Sequence, residues 1–204
     1  MELPTPLRDR DADPVWRQEL RRRLLRWYAR NQRDLPWRRT RDPYAIWVSE
    51  IMLQQTRVAA VGPYFTRFLA RFSTVADLAA ADEQEVLRFW EGLGYYRRAR
   101  QLHEAAQCIV ERYGGQLPRQ IESLQSLPGI GRYTAGAVLS IAWDDRHPIL
   151  EGNTVRLYSR LLAFRDNPRT ARGQRRLWEF ATTILPRKQV GAFNQALMEL
   201  GSEV

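Results

Sequence analysis

The sequence predicts an all-α protein made of many short helices. Apolar residues recur at helical spacing along almost the whole chain. The chain shows no sustained alternation of apolar and polar residues between hairpin turns, which is the pattern of antiparallel strands. Asp-Pro pairs at positions 13–14 and 42–43 place a capping residue before a proline, the arrangement that opens helices. The 204 residues suffice for one large domain or two small ones with a sizeable core.

The individual helices follow from spacing and from capping signals. The pattern predicts helices at residues 14–31, 44–56, 58–72, 83–91, 95–113, 121–126, 132–143, 154–164, 171–185 and 191–200. Aspartate is the predicted N-cap of the first, second and fourth helices, and Gly114-Gly115 ends the fifth. We therefore expect helices joined by turns throughout.

The chain is strongly basic, with 32 Lys and Arg residues against 23 Asp and Glu and a net charge of +9. This charge fits a polyanionic partner such as nucleic acid, and it fits equally a protein with an arginine-rich surface. Arg97, Arg98 and Arg100 illustrate the choice, because they could contact phosphates or form a solvated helix face. No apolar stretch approaches the roughly 20 residues that span a membrane, and the start shows no secretory signal. We expect a soluble, intracellular, cytoplasmic protein without membrane contact.

Lysine and cysteine occur once each, as Lys188 and Cys108. A single cysteine excludes an intramolecular disulfide and an all-cysteine metal cluster within this sequence. Cys108 falls in register with apolar residues of its helix, so we expect it to lie in the core. His103 and His147 are too few and too isolated for a metal site, and we expect neither to bind a metal.

A segment at residues 127–131, Leu-Pro-Gly-Ile-Gly, joins two of the predicted helices. Two glycines around one apolar residue, directly before a helix, give a tight turn with exposed backbone N–H groups at the positive end of the helix dipole. Such a turn can bind a phosphate without any side chain. The full string resembles the helix-hairpin-helix of DNA repair glycosylases and predicts a DNA backbone site that reads no sequence. The residues of this predicted site are Leu127, Gly129, Ile130, Gly131 and Thr134.

A run of apolar residues at 44–53 is interrupted by Glu50. A helix that is apolar on nearly every side is buried. Burial disfavours the charged carboxylate, so we expect the pKa of Glu50 to rise, which suits a general acid. A structural glutamate paired with an arginine fits the same spacing. Gln54 and Gln55 follow on the same predicted helix, with amides of the kind that read base edges or fill gaps in a base stack.

Five strings taken together point to one family. They are L-P-W-R at 35–38, W-V-S-E-I-M-L-Q-Q-T at 47–56, G-L-G-Y-Y at 92–96, L-P-G-I-G at 127–131 and F-N-Q-A at 193–196. With them the chain resembles the catalytic domain of the A/G-specific adenine DNA glycosylases, the MutY family, from about Leu24 to the C-terminus. The resemblance implies a DNA repair enzyme that flips out and removes adenine mispaired with 8-oxoguanine or guanine. The implied partner is double-stranded DNA with that mispair, bound by a monomer.

The resemblance also implies roles for individual residues. Glu50 would protonate the adenine at N7, and Glu151 would stabilise the oxocarbenium-like sugar or bond to it transiently, as in retaining glycosidases. Tyr133 and Asn153 would position Glu151 and the attacking water. Six further residues would form the base pocket and the wedge that enters the base stack: Trp37, Arg38 and Gln195 in the pocket, and Leu53, Gln55 and Tyr95 in the wedge.

The same resemblance implies two domains and a hydrolytic reaction. Residues 35–146 would form a six-helix barrel that contains the helix-hairpin-helix at 121–142. Residues 13–34 and 147–204 would form a second, discontinuous helical domain, with the DNA cleft between the two. Related bifunctional enzymes such as endonuclease III carry a strand-cleaving lysine at the position of Tyr133. We therefore expect a monofunctional glycosylase.

The sequence departs from the family pattern in two places. The family's second carboxylate is an aspartate, whereas this chain has Glu151 before Gly152-Asn153. A misplacement of about 1 Å can cost roughly 10²-fold in rate, so the degree of activity stays open. The family also usually continues into a cysteine-ligated [4Fe-4S] loop and an 8-oxoguanine-recognising domain. We expect no cofactor to be ligated by this chain, and a cluster only if the natural chain continues past Val204.

Three functions therefore remain open on the sequence alone. The first is an adenine glycosylase. The second is a catalytically impaired DNA-binding fragment, because of Glu151 and the missing downstream parts. The third is a mismatch glycosylase of the same fold with another base specificity, such as one for thymine.

Overall fold

The computed structural model describes residues 12–204, and this part of the chain is helical without any strand. A short 3-10 helix at Pro36–Arg38 accompanies eleven α-helices. The α-helices are α1 (Pro14–Asn31), α2 (Pro43–Leu53), α3 (Val58–Arg71), α4 (Val75–Ala80), α5 (Glu83–Trp90), α6 (Arg97–Tyr113), α7 (Ile121–Gln125), α8 (Arg132–Trp143), α9 (Gly152–Leu161), α10 (Ala171–Ile184) and α11 (Val190–Glu203). The predicted all-α class is confirmed.

The predicted capping residues begin and end their helices as expected. The carboxylates of Asp13, Asp42 and Asp82 each accept a hydrogen bond from the backbone N–H of the second residue of their helix, at 2.8, 3.0 and 2.8 Å. Each of these bonds satisfies a donor that the helix itself cannot pair. At the other end of α6, Gly114 adopts φ 62° and its N–H donates to the carbonyl of Ile109. Glycine adopts this left-handed conformation without the cost of a Cβ.

Several helix boundaries differ from the prediction, and three of them lie beside residues that the sequence singled out. The predicted helix at 44–56 ends at Leu53, so Gln54 and Gln55 lie beyond it and Gln55 has φ 56°. The predicted helix at 95–113 begins at Arg97, because Tyr95 has φ 50°. The helix predicted at 154–164 is Gly152–Leu161, two residues earlier at its start. The first two differences have one cause, since a residue with positive φ cannot continue a right-handed helix.

Helix α4 is absent from the predicted helices, although the sequence contains its capping signal. Thr74 Oγ1 accepts from the N–H of Asp77 at 3.1 Å, and Asp77 Oδ2 accepts from the N–H of Thr74 at 2.9 Å. This reciprocal pair is a capping box with aspartate in the place of the usual glutamate. A helix of six residues is too short to show a periodicity of its own.

The chain divides into two compact units. A central unit comprises Asp34–Ala142, and a terminal unit comprises the described residues up to Arg33 together with Trp143–Val204. The six-helix barrel at 35–146 and the second domain at 13–34 and 147–204 stay predictions.

The core of the central unit surrounds α2. Every residue of this helix from Tyr44 to Met52 is buried, because α3, α6 and the 3-10 helix pack against it. The unit's fully buried large side chains include Trp47, Phe68 and Trp90, and the last two meet edge to face. A polar side chain on a helix without a solvated face needs its hydrogen-bond partners on the elements packed around that helix.

The terminal unit has its own core, formed by α1, α9, α10 and α11. Tyr158 of α9 and Phe180 of α10 stack edge to face with ring centroids 5.3 Å apart. Helices α9 and α11 approach each other closely at Gly201. A Cβ at Gly201 would lie 2.7 Å from the carbonyl oxygen of Asn153. Only glycine allows this approach of two backbones.

We expect Gly201→Ala to destabilise the chain by about 1–3 kcal/mol, because the added methyl meets backbone that cannot rotate away. The matched control is Gly62→Ala in α3, where a Cβ has nothing within 4 Å. That change should stabilise by about 0.5–1 kcal/mol, as expected for glycine replaced in a helix interior. Urea unfolding followed by circular dichroism measures both. An unfolding midpoint for Gly201→Ala equal to that of the parent would contradict the packing described.

Candidate active site

Glu50 lies in the buried helix α2 and is only 5% exposed. Its Oε2 accepts a hydrogen bond from the hydroxyl of Tyr133 at 2.7 Å. Tyr133 is half-buried in the first turn of α8, directly after the hairpin turn. The structure brings the hydroxyl of Tyr133 to Glu50, 83 positions away along the chain. Its predicted role toward Glu151 and the water stays a prediction.

This contact gives Glu50 two opposing influences. Burial favours the neutral carboxylic acid, whereas a hydroxyl donor favours the ionised carboxylate. The environment of Glu50 thus combines low exposure with one hydroxyl donor. The side chain is also fixed in direction, because the tyrosine holds one of its two oxygens. Glu50 is thus a buried, oriented carboxyl, and its role as general acid stays a prediction.

The hairpin between α7 and α8 is anchored by its side chains and presents backbone. Leu127, Ile130 and Thr134 are buried, while Gly131 is exposed. Gly129 has φ 73°, and a Cβ there would lie 3.0 Å from the Cβ of Gln101. The N–H of Ala135 donates to the carbonyl of Gly131 at 3.0 Å, so the first turn of α8 follows the hairpin turn directly. Any phosphate here would bind to backbone N–H groups, as the sequence predicts.

The three predicted wedge residues lie at the ends of helices in the central unit. Leu53 is the last residue of α2 and is half-buried. Gln55 is exposed, and Tyr95 is 60% exposed. Both Gln55 and Tyr95 have positive φ, a strained conformation that is concentrated at functional sites in proteins. Their insertion into DNA stays a prediction.

The prediction for Arg98, either a contact to phosphates or a place on a solvated helix face, is wrong. This arginine is buried at 8% exposure, and its guanidinium hydrogen bonds to backbone carbonyls of the central unit. The neighbouring Arg97 and Arg100 are exposed. A signal was available in the sequence: position 98 shares the helical register of the buried residues Leu102 and Ala105.

The predicted base-pocket residues belong to both units. Trp37 is buried in the central unit, edge to face with Phe65 at 5.6 Å, and Arg38 beside it is half-buried. Gln195 lies in α11 of the terminal unit, where its Oε1 accepts from the hydroxyl of Tyr28 at 3.3 Å. Their role in holding a base stays a prediction.

Glu151 is the N-cap of α9, a role that the sequence analysis did not foresee. Its two carboxylate oxygens accept from the backbone N–H groups of Asn153 at 2.8 Å and Thr154 at 2.9 Å. Thr154 Oγ1 accepts from the N–H of Glu151 at 2.8 Å in return. Burial raises the pKa of Glu151, while the two backbone donors and the nearby Arg156 act in the opposite direction. The carboxylate is therefore held in one direction.

The side chain of Asn153 is likewise fixed. Its Oδ1 accepts from Nη2 of Arg156 at 2.8 Å. Arg156 Nε also donates to the carbonyl of Val204 at 2.6 Å, and its Nη2 to that of Gly201. One arginine thus connects the start of α9 to the end of α11.

Comparison of the sequence with known proteins assigns the chain to a family. Residues 48–182 match the HhH-GPD superfamily, described as base excision DNA repair proteins. The matched segment contains Glu50, the hairpin, Tyr133 and Glu151. The chain belongs to the HhH-GPD superfamily. The predicted family resemblance is thereby supported at the level of fold and repair class.

The relatives of this superfamily member include adenine DNA glycosylases. One from Rattus norvegicus is 47% identical over 193 residues, covering 90% of this chain and 37% of the relative. One from Buchnera aphidicola is 40% identical over 182 residues, covering 89% of this chain and 52% of the relative. The chain thus spans about a third to a half of the length of these relatives.

Two solved structures have a fold similar to that of this chain. A thermostable thymine-DNA glycosylase superimposes with a TM-score of 0.82 at 28% identity, covering 92% of this chain and 87% of that one. A non-covalent endonuclease III–DNA complex gives a TM-score of 0.72 at 21% identity, covering 89% and 84%. The second likeness shows the fold alone.

The residues of this HhH-GPD chain do not fit a cysteine-ligated cluster. Cys108 is the single cysteine of the sequence and is partly exposed in α6, not fully in the core as predicted. Within residues 12–204 no three His, Cys, Asp or Glu side chains are grouped to hold a metal ion. His103 is buried, 3.4 Å from the amide nitrogen of Gln107. That the chain ligates no cofactor stays a prediction.

Across the same described residues, no helix is long and apolar enough to cross a membrane.

We expect the Glu50–Tyr133 hydrogen bond to contribute a coupling of about 0.5–3 kcal/mol, the range that covers bonds to neutral and to charged groups. A double-mutant cycle of Glu50→Gln and Tyr133→Phe in urea unfolding measures it. The same cycle with Tyr113→Phe, at the end of α6, is the control. Equal and negligible coupling in both cycles would contradict the contact.

We expect Glu151→Gln to gain stability relative to the parent as the pH rises. Because the folded-state pKa of Glu151 is raised, the folded chain holds this proton more tightly than the unfolded chain. The parent is therefore favoured below the usual glutamate pKa and loses that stability as the pH rises through the raised value. Chemical unfolding of parent and variant from pH 3 to pH 8 measures the difference. A relative loss for the variant at neutral pH would mean that the capping bonds outweigh burial.

Proposed function

We propose that this chain is the catalytic region of a monofunctional DNA glycosylase that removes adenine mispaired with 8-oxoguanine or guanine. The observation that carries the proposal is the buried, oriented Glu50 and its bond to Tyr133. It lies in a chain that shares 46–47% identity with mammalian adenine DNA glycosylases. The substrate is double-stranded DNA, consistent with the net charge of +9.

The first chemical step is protonation of the base. Adenine leaves poorly as an anion, so a proton delivered to N7 turns it into a neutral leaving group. Glu50 supplies that proton, and the bond from C1′ to N9 breaks with its electron pair going to the base. Tyr133 then stabilises the carboxylate that Glu50 becomes, because its hydroxyl already points at Oε2.

In the second step the positive charge left on the sugar is stabilised and then removed by addition of water. A carboxylate beside C1′ stabilises the oxocarbenium-like centre or bonds to it transiently, as in retaining glycosidases. We assign this role to Glu151, whose two oxygens are held by backbone N–H groups. Water then adds to C1′, and its proton returns to a carboxylate. The products are free adenine and an abasic site.

Two elements would hold the DNA during these steps. The hairpin, residues 127–131, binds the backbone through N–H groups at the start of α8, so this contact carries no sequence information. The exposed Gln55 and Tyr95 enter the base stack at the mispair and ease the flipping of adenine. Both kinds of contact involve residues of the central unit.

A second candidate is a thymine-mismatch glycosylase. It is favoured by the solved thymine-DNA glycosylase, which matches this chain over 87% of its own length. The named adenine glycosylases match at higher identity but over a smaller share of their length. The two candidates share a fold and a hydrolytic reaction, so only the released base separates them.

A single-turnover assay on three duplexes tests the proposal, with adenine opposite 8-oxoguanine, adenine opposite guanine, and thymine opposite guanine. We expect release of adenine from the first two, slowed about 10²- to 10⁴-fold by Glu50→Gln, the range that general acid catalysis contributes. Glu179→Gln, an exchange of the same type in α10, is the control and should leave the rate unchanged. Release of thymine alone would establish the second candidate, and tight binding without release would identify a DNA-binding fragment.

A further inference from the structure

The guanidinium of Arg98 joins two loops of the central unit. The Gln55 loop, residues 54–57, connects α2 to α3, and the Tyr95 loop, residues 91–96, connects α5 to α6. Arg98 lies in the first turn of α6 and donates to oxygens on both sides. Its Nη1 bonds to the carbonyls of Ile51 at 2.9 Å, Met52 at 3.0 Å and Gln54, and its Nη2 to Thr56 Oγ1 at 3.1 Å and the carbonyls of Leu93 at 3.3 Å and Gly94 at 3.2 Å.

The hydrogen-bond partners of Arg98 all belong to the protein's own backbone and side chains, so this arginine has a structural role. Within residues 12–204 its hydrogen-bond acceptors are carbonyl and hydroxyl oxygens, and no carboxylate pairs with it. Three of the carbonyls close the C-terminal end of α2, the negative end of the helix dipole. The rings of Trp90 and Tyr95 lie 5.4 and 5.3 Å from Cζ. Only a planar fork reaches so many acceptors in two loops at once, which an ammonium cannot do.

The two loops share an uncommon backbone conformation. Among residues 12–204 there are five non-glycine residues with positive φ, and Gln55 and Tyr95 are two of them. Such a conformation has an energetic cost and persists only where the surroundings enforce it. Arg98 supplies that enforcement, because its acceptors flank Gln55 directly and precede Tyr95 by one and two residues. Both side chains are exposed and therefore available to a ligand.

We propose that Arg98 is a positioning residue that fixes the Gln55 and Tyr95 loops as one rigid probe of the DNA base stack. The inference rests on the proposed function for its ligand. Arg98 itself touches no base, since it is buried beneath the loops. The separation of the Gln55 and Tyr95 side chains is set before DNA arrives. Opening the stack at a mispair then requires no further ordering of the protein.

The first test uses the protein without DNA. Amide hydrogen exchange is compared between the parent, Arg98→Lys and Arg98→Met, with Arg112→Met at the exposed end of α6 as the control. We expect exchange to accelerate about 10-fold or more in the amides of both loops together, with the N-terminal half of α2 unchanged. Acceleration in one loop alone, or none in either, would overturn the proposal.

The second test reads the base stack directly. A duplex with 2-aminopurine beside the mispaired adenine reports unstacking by fluorescence, and Glu50→Gln in every protein slows base release so that unstacking is read before it. We expect Arg98→Lys to weaken the unstacking signal about 10-fold at fixed enzyme concentration, and to have no further effect in a Gln55→Ala/Tyr95→Ala background. A loss of the same size in that background would show a merely structural role and reject the inference.

The two tests separate failure of the inference from failure of the proposed function. The exchange experiment contains no DNA, so it judges the loops alone. Absence of base release by the parent from any duplex overturns the proposed function, and leaves the exchange result standing. Arg98→Lys keeps the charge and most of the side-chain volume, so it provides a folded variant should Arg98→Met not fold.

Discussion

The hydrogen bond between Tyr133 and Glu50 links the hairpin to the buried carboxyl. Helix α2 has no solvated face, so a carboxyl in its middle must find its partner on another helix. The hairpin turn supplies that partner, because Gly129 and the buried Leu127 and Ile130 fix where α8 begins. A change in the turn would therefore move the hydroxyl as well as the backbone N–H groups. In the proposed function, phosphate binding and proton transfer both depend on this short turn.

Much of this arrangement could be predicted from the sequence, because it is encoded locally. Aspartate before proline sets the starts of α1 and α2, and Gly114 sets the end of α6. The burial of Glu50 follows from the apolar residues on all sides of its helix. The glycine spacing of the hairpin predicts a turn that presents backbone, and the structure has its side chains buried as that requires. These features depend on neighbours a few residues away.

The rest depends on contacts between residues far apart, and sequence spacing does not encode those. Tyr133 donates a hydrogen bond to Glu50 across 83 positions, and the spacing of the two residues does not predict this bond. The sequence predicts that Gln55 continues α2, whereas it adopts a left-handed conformation. The carbonyl of Gln54 beside it is bonded by Arg98, more than 40 positions later, and sequence spacing does not predict that contact. Glu151 shows a third case. The extra methylene still permits a capping box, so a carboxylate that departs from the family pattern is nonetheless held by backbone.

The burial of Arg98 has a consequence for how dissolved ions act on this protein. Contacts to DNA phosphates weaken as salt rises, since each one releases condensed counterions. A guanidinium enclosed by carbonyls and rings is screened far less by mobile ions than a surface charge. It also keeps its proton throughout the physiological pH range. The geometry of the loops should thus be the same at low and high salt, whereas the proposed binding to duplex DNA should weaken as salt rises.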